Sequence, residues 1–428
     1  MGDLSATPET GVLLEHLFRH QSGRMVAHFT RLFGPAHLDL AEETVQDAML
    51  RALQTWPYSG VPQNPEAWLF RVAHNAAIDA IRRRKRQDDK APAELDFAIL
   101  AEPREDPLLQ DPLLEGQLRD DELRMIFMCC HPEIARESSV ALSLKTVGGF
   151  SVREIARAFL ADDAAIAQRL VRAKRQIRER NLTLDMPHGA ELVRRLDSVL
   201  EVIYFIFNEG YTAHEGQDLI RRDLCAEALR LGRLVALSSI ATPRVHALVA
   251  LMAFQAARLP ARVDAAGDLV LLESQDRRLW DERLIGFGFH HLELSMNGDE
   301  VSDYHAQAAI AATHARAPDA ESTDWRLILE FYDQLLAMNP SPVVALNRAV
   351  AVAKVRGAAQ ALAEIDKLER EPKLSDYYLL LAVRGHLLLE LGRREEAARE
   401  FRAALERPCS EPERRFLIRK LTEAEAAC

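Results

Sequence analysis

The chain has 428 residues, more than one ordinary core accommodates, so two or three domains are expected. Apolar residues at 48% and charged residues at 28% exclude the disordered and fibrous classes, and no apolar run reaches membrane length. The formal net charge of −11 excludes wholesale attraction to a polyanion, so any nucleic-acid contact has to be local. Five cysteines without CxxC spacing argue against a disulfide framework or a zinc ribbon. With no secretory signal evident, a reduced, cytoplasmic protein is expected.

Ala, Leu, Arg and Glu dominate while Gly and Pro are sparse, which favours helix almost everywhere. Residues 11–34 carry an apolar face (Val12, Leu13, Leu17, then Met25, Val26, Phe29, Leu32, Phe33) that ends at Gly34-Pro35. A second helix is expected from Leu38. Asp39 and Glu42 form a capping-box-like start, Val45, Ala48, Met49, Ala52 and Leu53 face inward, and Pro57 is the stop. Glu43, Gln46, Asp47 and Arg51 form its acidic-polar outer face.

The stretch Pro65–Arg86, PEAWLFRVAHNAAIDAIRRRKR, opens with Asn64-Pro65, a cap followed by a first-turn proline. Trp68, Val72, Ala76, Ile78 and Ile81 recur at helical spacing, His74, Asn75 and Asp79 form a polar middle, and five consecutive cations close it. By itself the stretch reads equally as a solvated basic helix or as a nucleic-acid contact.

Residues 87–116 mix prolines with acidic residues and read as an acidic linker, either a passive tether or an anionic strand that mimics nucleic acid. Helices resume over 117–180, broken at His131-Pro132 and Gly148-Gly149. Vicinal Cys129-Cys130 sits in an apolar run, which reads as core. Ser151 and Glu154 form a capping box on a short helix, and a tight turn at Leu160–Asp162 leads into a cationic one, DAAIAQRLVRAKRQIRER. Ile155, Ala156, Phe159, Ile166 and Leu170 are the expected core between them. A short helix, a turn and a basic helix fit a helix-turn-helix, whose second helix enters the major groove, as well as an ordinary helical hairpin.

Three motifs in order carry a family likeness. AEETVQDAMLRALQTWP resembles the polymerase-binding segment of region 2 in extracytoplasmic-function (ECF) sigma factors of the sigma-70 family. PEAWLFRVAHNAAIDAIRRRKR resembles the segment that melts and reads the −10 element. GFSVREIARAFLADDAAIAQRLVRAKRQIRE resembles region 4, the helix-turn-helix that reads the −35 element. The resemblance implies that Glu42, Glu43, Gln46 and Asp47 dock on core RNA polymerase through its β′ coiled coil. It implies that Trp68, Arg71, Asn75, Asp79, Arg82, Arg83 and Arg84 face −10 DNA, and that Ala165, Gln168, Arg169, Arg172 and Lys174 face the −35 element. Ala165 and Ala167 depart from the Thr and Lys of many members, leaving Gln168 and Arg169 as the base readers.

Residues 185–428 exceed a minimal ECF sigma factor. Apolar helices are expected at Leu192–Phe207, Leu219–Leu237 and Val245–Leu259, with Asn208, Glu209 and Tyr211 holding a helix end. In RGHLLLELGRREEAAREFRAALERP, Gly385, Leu388, Gly392, Ala397, Phe401 and Ala404 fall on the small and large positions of a tetratricopeptide (TPR) repeat, and Asn347 aligns with Gly385 38 residues earlier. A generic helical bundle is the alternative. His290, His291 and Glu293 with Tyr304 and His305 form no metal-binding pattern, and no GxSxG, HExxH or phosphate loop occurs, so neither enzyme activity nor a metal or other cofactor is expected.

The whole resembles the ECF subgroup with a TPR-like C-terminal extension. It implies an all-α fold with region 2 at 11–86, a linker at 87–116, region 4 at 117–180 and a helical-repeat domain at 185–428. The implied partners are core polymerase (β′ and β subunits), promoter DNA and, through the C-terminal domain, a regulatory protein or an intramolecular contact; no membrane is among them. The alternative is a helix-turn-helix regulator with a TPR sensor that never joins polymerase.

Overall fold

The computed structural model describes residues 8–87, 112–159, 161–211, 220–368, 371, 374 and 377–426; the central part of the expected acidic linker and Leu160 in the expected turn lie outside them. The described residues form helices and no strand, apart from an isolated bridge between Val263 and Leu269. The chain divides into two compact units, Met1–Val202 and Ile203–Cys428, a division that falls inside the helix Gly189–Tyr211. None of the described helices is long and apolar enough to cross a membrane.

The first unit contains α1 (Pro8–Phe33), α2 (Leu38–Ser59), α3 (Pro65–Gln87), α4 (Pro112–Cys129), α5 (Arg136–Thr146), α6 (Val152–Ala158) and α7 (Asp163–Glu179). Helix α1 packs against α2, α3, α4 and α5. Its Phe29 stacks on Phe33 and on Phe70 of α3, with ring centroids 5.8 and 5.6 Å apart. A polar joint fastens α1 to α4: buried Asp121 meets His28 Nδ1 at 2.9 Å and Arg31 Nε at 2.7 Å. Cys129 and Cys130 are buried as expected, against Thr146 and Ser143 of α5, and burial pushes both thiols up, Cys130 to about 12.

Three readings of α2 need correction. Pro57 lies inside the helix near its C-terminal end, and the cap position is His37, with no side-chain cap, rather than Asp39. The buried line is Ala41, Val45, Ala48, Ala52 and Trp56, while Leu53 is 45% exposed. Leu53 stands about 100° around the helix from Ala52, outside the line that Trp56 completes.

The second unit contains α9 (Arg222–Ala236), α10 (Pro243–Ala257), α11 (Glu282–Ser295), α12 (Asp303–Arg316), α13 (Trp325–Met338), α14 (Pro342–Arg356), α15 (Ala358–Leu368), α16 (Tyr378–Glu390), α17 (Arg394–Leu405) and α18 (Glu411–Glu425). Helix α10 is buried nearly all round, with Val245 and Ala247 to Phe254 inaccessible, and α9, α11 and α12 pack on it. From α12 to α18 each helix packs on the next. Gly385 of α16 faces Phe401 of α17, and a Cβ at 385 would lie 2.9 Å from the Phe401 ring, so the expected small–large pair is in contact. The NEGY residues are helical: α8 (Gly189–Tyr211) ends only after them.

Candidate nucleic-acid interface

Helix α3 begins as its sequence dictates. Asn64 Oδ1 accepts from the Ala67 amide at 3.0 Å, and Pro65 occupies the first turn. The buried side is Ala67, Leu69, Phe70, Ala73, Ala76 and Ala77; of the expected line Ala76 is buried, Trp68, Val72 and Ile78 are half-buried, and the Ile81 side chain lies outside the described residues. Trp68 is half-buried, its ring edge-on to Trp56 at 5.4 Å. Arg71, Asn75, Asp79 and Arg82 are exposed, and their spacing of three to four residues places them with Trp68 on one stripe. The side chains of Arg83 and Arg84 lie outside the described residues.

On α2, Glu43, Gln46 and Asp47 are exposed. The same face continues into Leu50, 54% exposed, and Leu53. Sequence reading missed this apolar extension because a leucine at helical spacing is assigned to the core by default. An acidic patch running into uncovered leucines has the composition of a protein-docking face.

Helix α6 is capped as expected: the Ser151 amide donates to Glu154 Oε2 at 2.8 Å, and the Glu154 amide donates to Ser151 Oγ at 3.1 Å. Helix α7 buries Ile166, Leu170, Ala173 and Ile177, and packs on α6 and α5. Of the expected −35 residues, Gln168 and Arg172 are exposed, with Arg172 donating to Gln168 at 3.4 Å, and Ala165 is half-buried. Arg169 pairs with Glu137 of α5 at 3.0 Å.

Lys174 is turned away from solvent, with its side chain 15% exposed. It bonds Asp39 Oδ1 at 2.6 Å and Glu42 Oε2 at 2.8 Å, and Arg178 adds a second contact to Asp39 at 3.3 Å. Burial works to raise the Asp39 carboxyl, but the hydrogen bond and charge of Lys174, then Arg178, outweigh it and hold it below its ordinary value. The structure thus joins Glu42 of the expected docking set directly to Lys174 of the expected −35 set, with Asp39, a position that sequence reading treated as a cap, as a second acceptor.

His246, His291 and His305 of the second unit have structural partners. His291 Nδ1 lies 2.9 Å from His246 Nδ1. Its pKa is pushed down to about 4 by burial, then by His246, His290 and Arg233. His305 caps α12 by accepting from the Ser302 amide at 3.1 Å. Among the described residues no group of three His, Cys, Asp or Glu side chains is arranged to hold a metal.

Residues 17–87, which end where α3 ends, match the family described as sigma-70 region 2, and residues 195–296 match a family of unknown function, DUF6596. An uncharacterized protein of Rhizobium meliloti (strain 1021) is 43% identical over 369 residues, 86% of each chain. No solved structure matches. With the capped α3, its polar stripe and the acidic face of α2 all inside the matched segment, the chain belongs to one family with the Rhizobium meliloti protein and is a sigma factor of the sigma-70 family.

Proposed function

We propose that the protein is a sigma factor of the ECF type, which brings core RNA polymerase to a −35/−10 promoter and leaves phosphodiester synthesis to the polymerase. The observation that carries this reading is the stripe of exposed Arg71, Asn75, Asp79 and Arg82 with half-buried Trp68, on the helix that closes the region 2 match. Asn75 and Asp79 offer hydrogen-bonding groups to unstacked bases, and the cations of the stripe suit the backbone. The α2 face of Glu43, Gln46 and Asp47, extended by Leu50 and Leu53, docks on polymerase. In the 117–180 segment, α6 and α7 form the helix-turn-helix, with Gln168 and Arg169 reading bases and Arg172 and Lys174 on the −35 element.

The pairing of Lys174 with Asp39 and Glu42 supports a resting arrangement. The Lys174 ammonium is sheltered and its charge is already met by two carboxylates, so engaging the −35 element through Lys174 requires the contact to open. The 185–428 part acts as a helical-repeat domain of TPR type that regulates the sigma domains. Run-off transcription with core polymerase tests the reading: a promoter-specific transcript that depends on added protein is expected. DNA binding without any transcript favours a helix-turn-helix regulator that never joins polymerase.

A further inference from the structure

In the second unit, residues 259–280 run in short 3₁₀ turns and strap three helices together. Asp268 accepts from Arg415 and Arg419 of α18. Glu273 pairs with Lys354 of α14 at 2.6 Å. Arg277 donates to the carbonyls of His314 and Ala317, both at 2.6 Å, and to Thr323 Oγ1 at 2.8 Å. Beneath the strap lies a cavity of about 250 Å³, lined mainly from α14, α16 and α18, with His314 of α12 at one end. Its walls are apolar, formed among others by Trp325, Val350, Val383, Leu387, Phe401 and Phe416.

One end of the cavity differs. His314 is 6% exposed, and its Nδ1 has no hydrogen-bond partner; Nε of Arg277 has none either. Burial, then the charges of Arg258 and Arg277, push the His314 pKa down to about 3, so its imidazole is neutral. The partners of Arg277 are two carbonyls and a hydroxyl, with no carboxylate in contact. The other ionisable groups on the lining have partners: Glu273 with Lys354, His386 with Glu390 at 3.2 Å, and Lys420 with Glu423 at 2.8 Å. Asp319 acts on Arg277 through space without touching it, so positive charge is only partly compensated at the Arg277 end, beside an apolar space. A half-buried cation whose counter-charge does not reach it is costly, and an anion that brings its own apolar body relieves that cost.

We propose that this cavity binds a small aromatic monocarboxylate, with its carboxylate at Arg277 and His314 and its ring among Trp325, Val383 and Phe401. The volume lies just under the roughly 300–1,000 Å³ of pockets for drug-sized ligands, which fits one or two fused rings. The site belongs to the second unit alone and does not depend on how the N-terminal helices act.

Titration calorimetry of the full chain with 2-naphthoate, against uncharged 2-naphthamide, tests the site. Saturable 1:1 binding of the carboxylate is expected, with the amide at least tenfold weaker. Arg277→Gln removes that preference, and Val383→Trp, which fills the cavity from α16 without touching the strap, abolishes binding of both. Ala353→Phe fills the same space from α14 and serves if the first variant misfolds. No saturable binding by the wild-type chain at millimolar ligand overturns the proposal. So does an undiminished preference for the carboxylate in Arg277→Gln, or wild-type binding by a folded cavity-filled variant.

Discussion

Lys174 Nζ donates to Glu42 Oε2 across 2.8 Å, tying the helix that carries the proposed −35 readers to the helix that carries the proposed polymerase face. Both side chains are largely sheltered, at 15% and 13% exposure, whereas the second acceptor, Asp39, is 48% exposed. The contact therefore ranks between a surface pair and a buried one. Lys174→Ala is expected to destabilise the protein by about 1–2 kcal/mol in urea unfolding. The double reversal Glu42→Lys with Lys174→Glu is expected to recover part of that loss. An additive double variant places the stabilisation elsewhere.

The same contact has a defined pH window. Asp39 is held below its ordinary value, so its contribution is present above the unfolded value of ~3.9 and is lost as pH falls through the lowered one. For Lys174, burial works to lower the pKa, but the charge of Glu42 and hydrogen bonds to Asp39 and Glu42 outweigh it and raise it. Its contribution is present below the unfolded value of ~10.4 and is lost as pH rises through the raised one. The stability difference between wild type and Lys174→Ala is expected to stay level from about pH 5 to pH 9 and to shrink near pH 3. A difference that changes steeply around pH 7 assigns the effect to a histidine instead.

On α3, the stripe separates specificity from affinity. Asn75→Ala is expected to lower transcription from the cognate promoter at least tenfold while leaving nonspecific DNA affinity and thermal stability near wild type, because the residue is exposed. Arg82→Ala is expected to weaken all DNA alike and to reduce the salt slope of binding by about one. Equal effects from the two substitutions in a salt titration argue against a base-reading role for Asn75.

Gly385→Ala separates the repeat-like hairpin from a loose bundle. Alanine improves helix propensity by about 0.8–1 kcal/mol, but its Cβ meets the Phe401 ring at 2.9 Å, a contact that costs about 1–3 kcal/mol. A net loss of about 1 kcal/mol is expected in chemical denaturation, and Phe401→Leu in the same chain is expected to relieve the clash. Stabilisation by Gly385→Ala alone means that the two helices do not pack this closely.

Truncation has to respect a buried anchor. Arg195 donates to the Phe127 carbonyl at 2.8 Å, its guanidinium lies 6.0 Å from the Phe127 ring centroid, and the side chain is buried. A fragment ending at 184 loses that anchor, and one ending at 202 keeps it. The 202 fragment is expected to melt several degrees higher, since a hydrogen bond from a charged donor contributes about 1.5–3 kcal/mol. Equal melting temperatures count against Arg195 as an anchor. Promoter output of the 202 fragment, compared with the full chain, then reports on the C-terminal domain rather than on a damaged first unit.

Much of this was legible in the residues. Asn64-Pro65 start a helix and Ser151 with Glu154 cap one because those effects act within a single turn of chain. The all-helical class follows from composition, and the pairing of Gly385 with Phe401 from their spacing in a repeat pattern. Side chains whose surroundings come from distant chain were not legible. Leu53 was assigned inward because spacing does not state how many neighbours a helix has, and Asp39 was read as a cap although its partners lie 135 and 139 residues away. The same holds for Arg277 and His314, which meet at the end of a cavity that exists only once four helices and a strap are stacked. Local hydrogen bonding and periodicity made the helices and the sigma-70 likeness readable from the chain. Burial and charge pairing depend on which distant segments meet, so the Lys174 contact, the uncovered α2 face and the cavity were decided by tertiary packing.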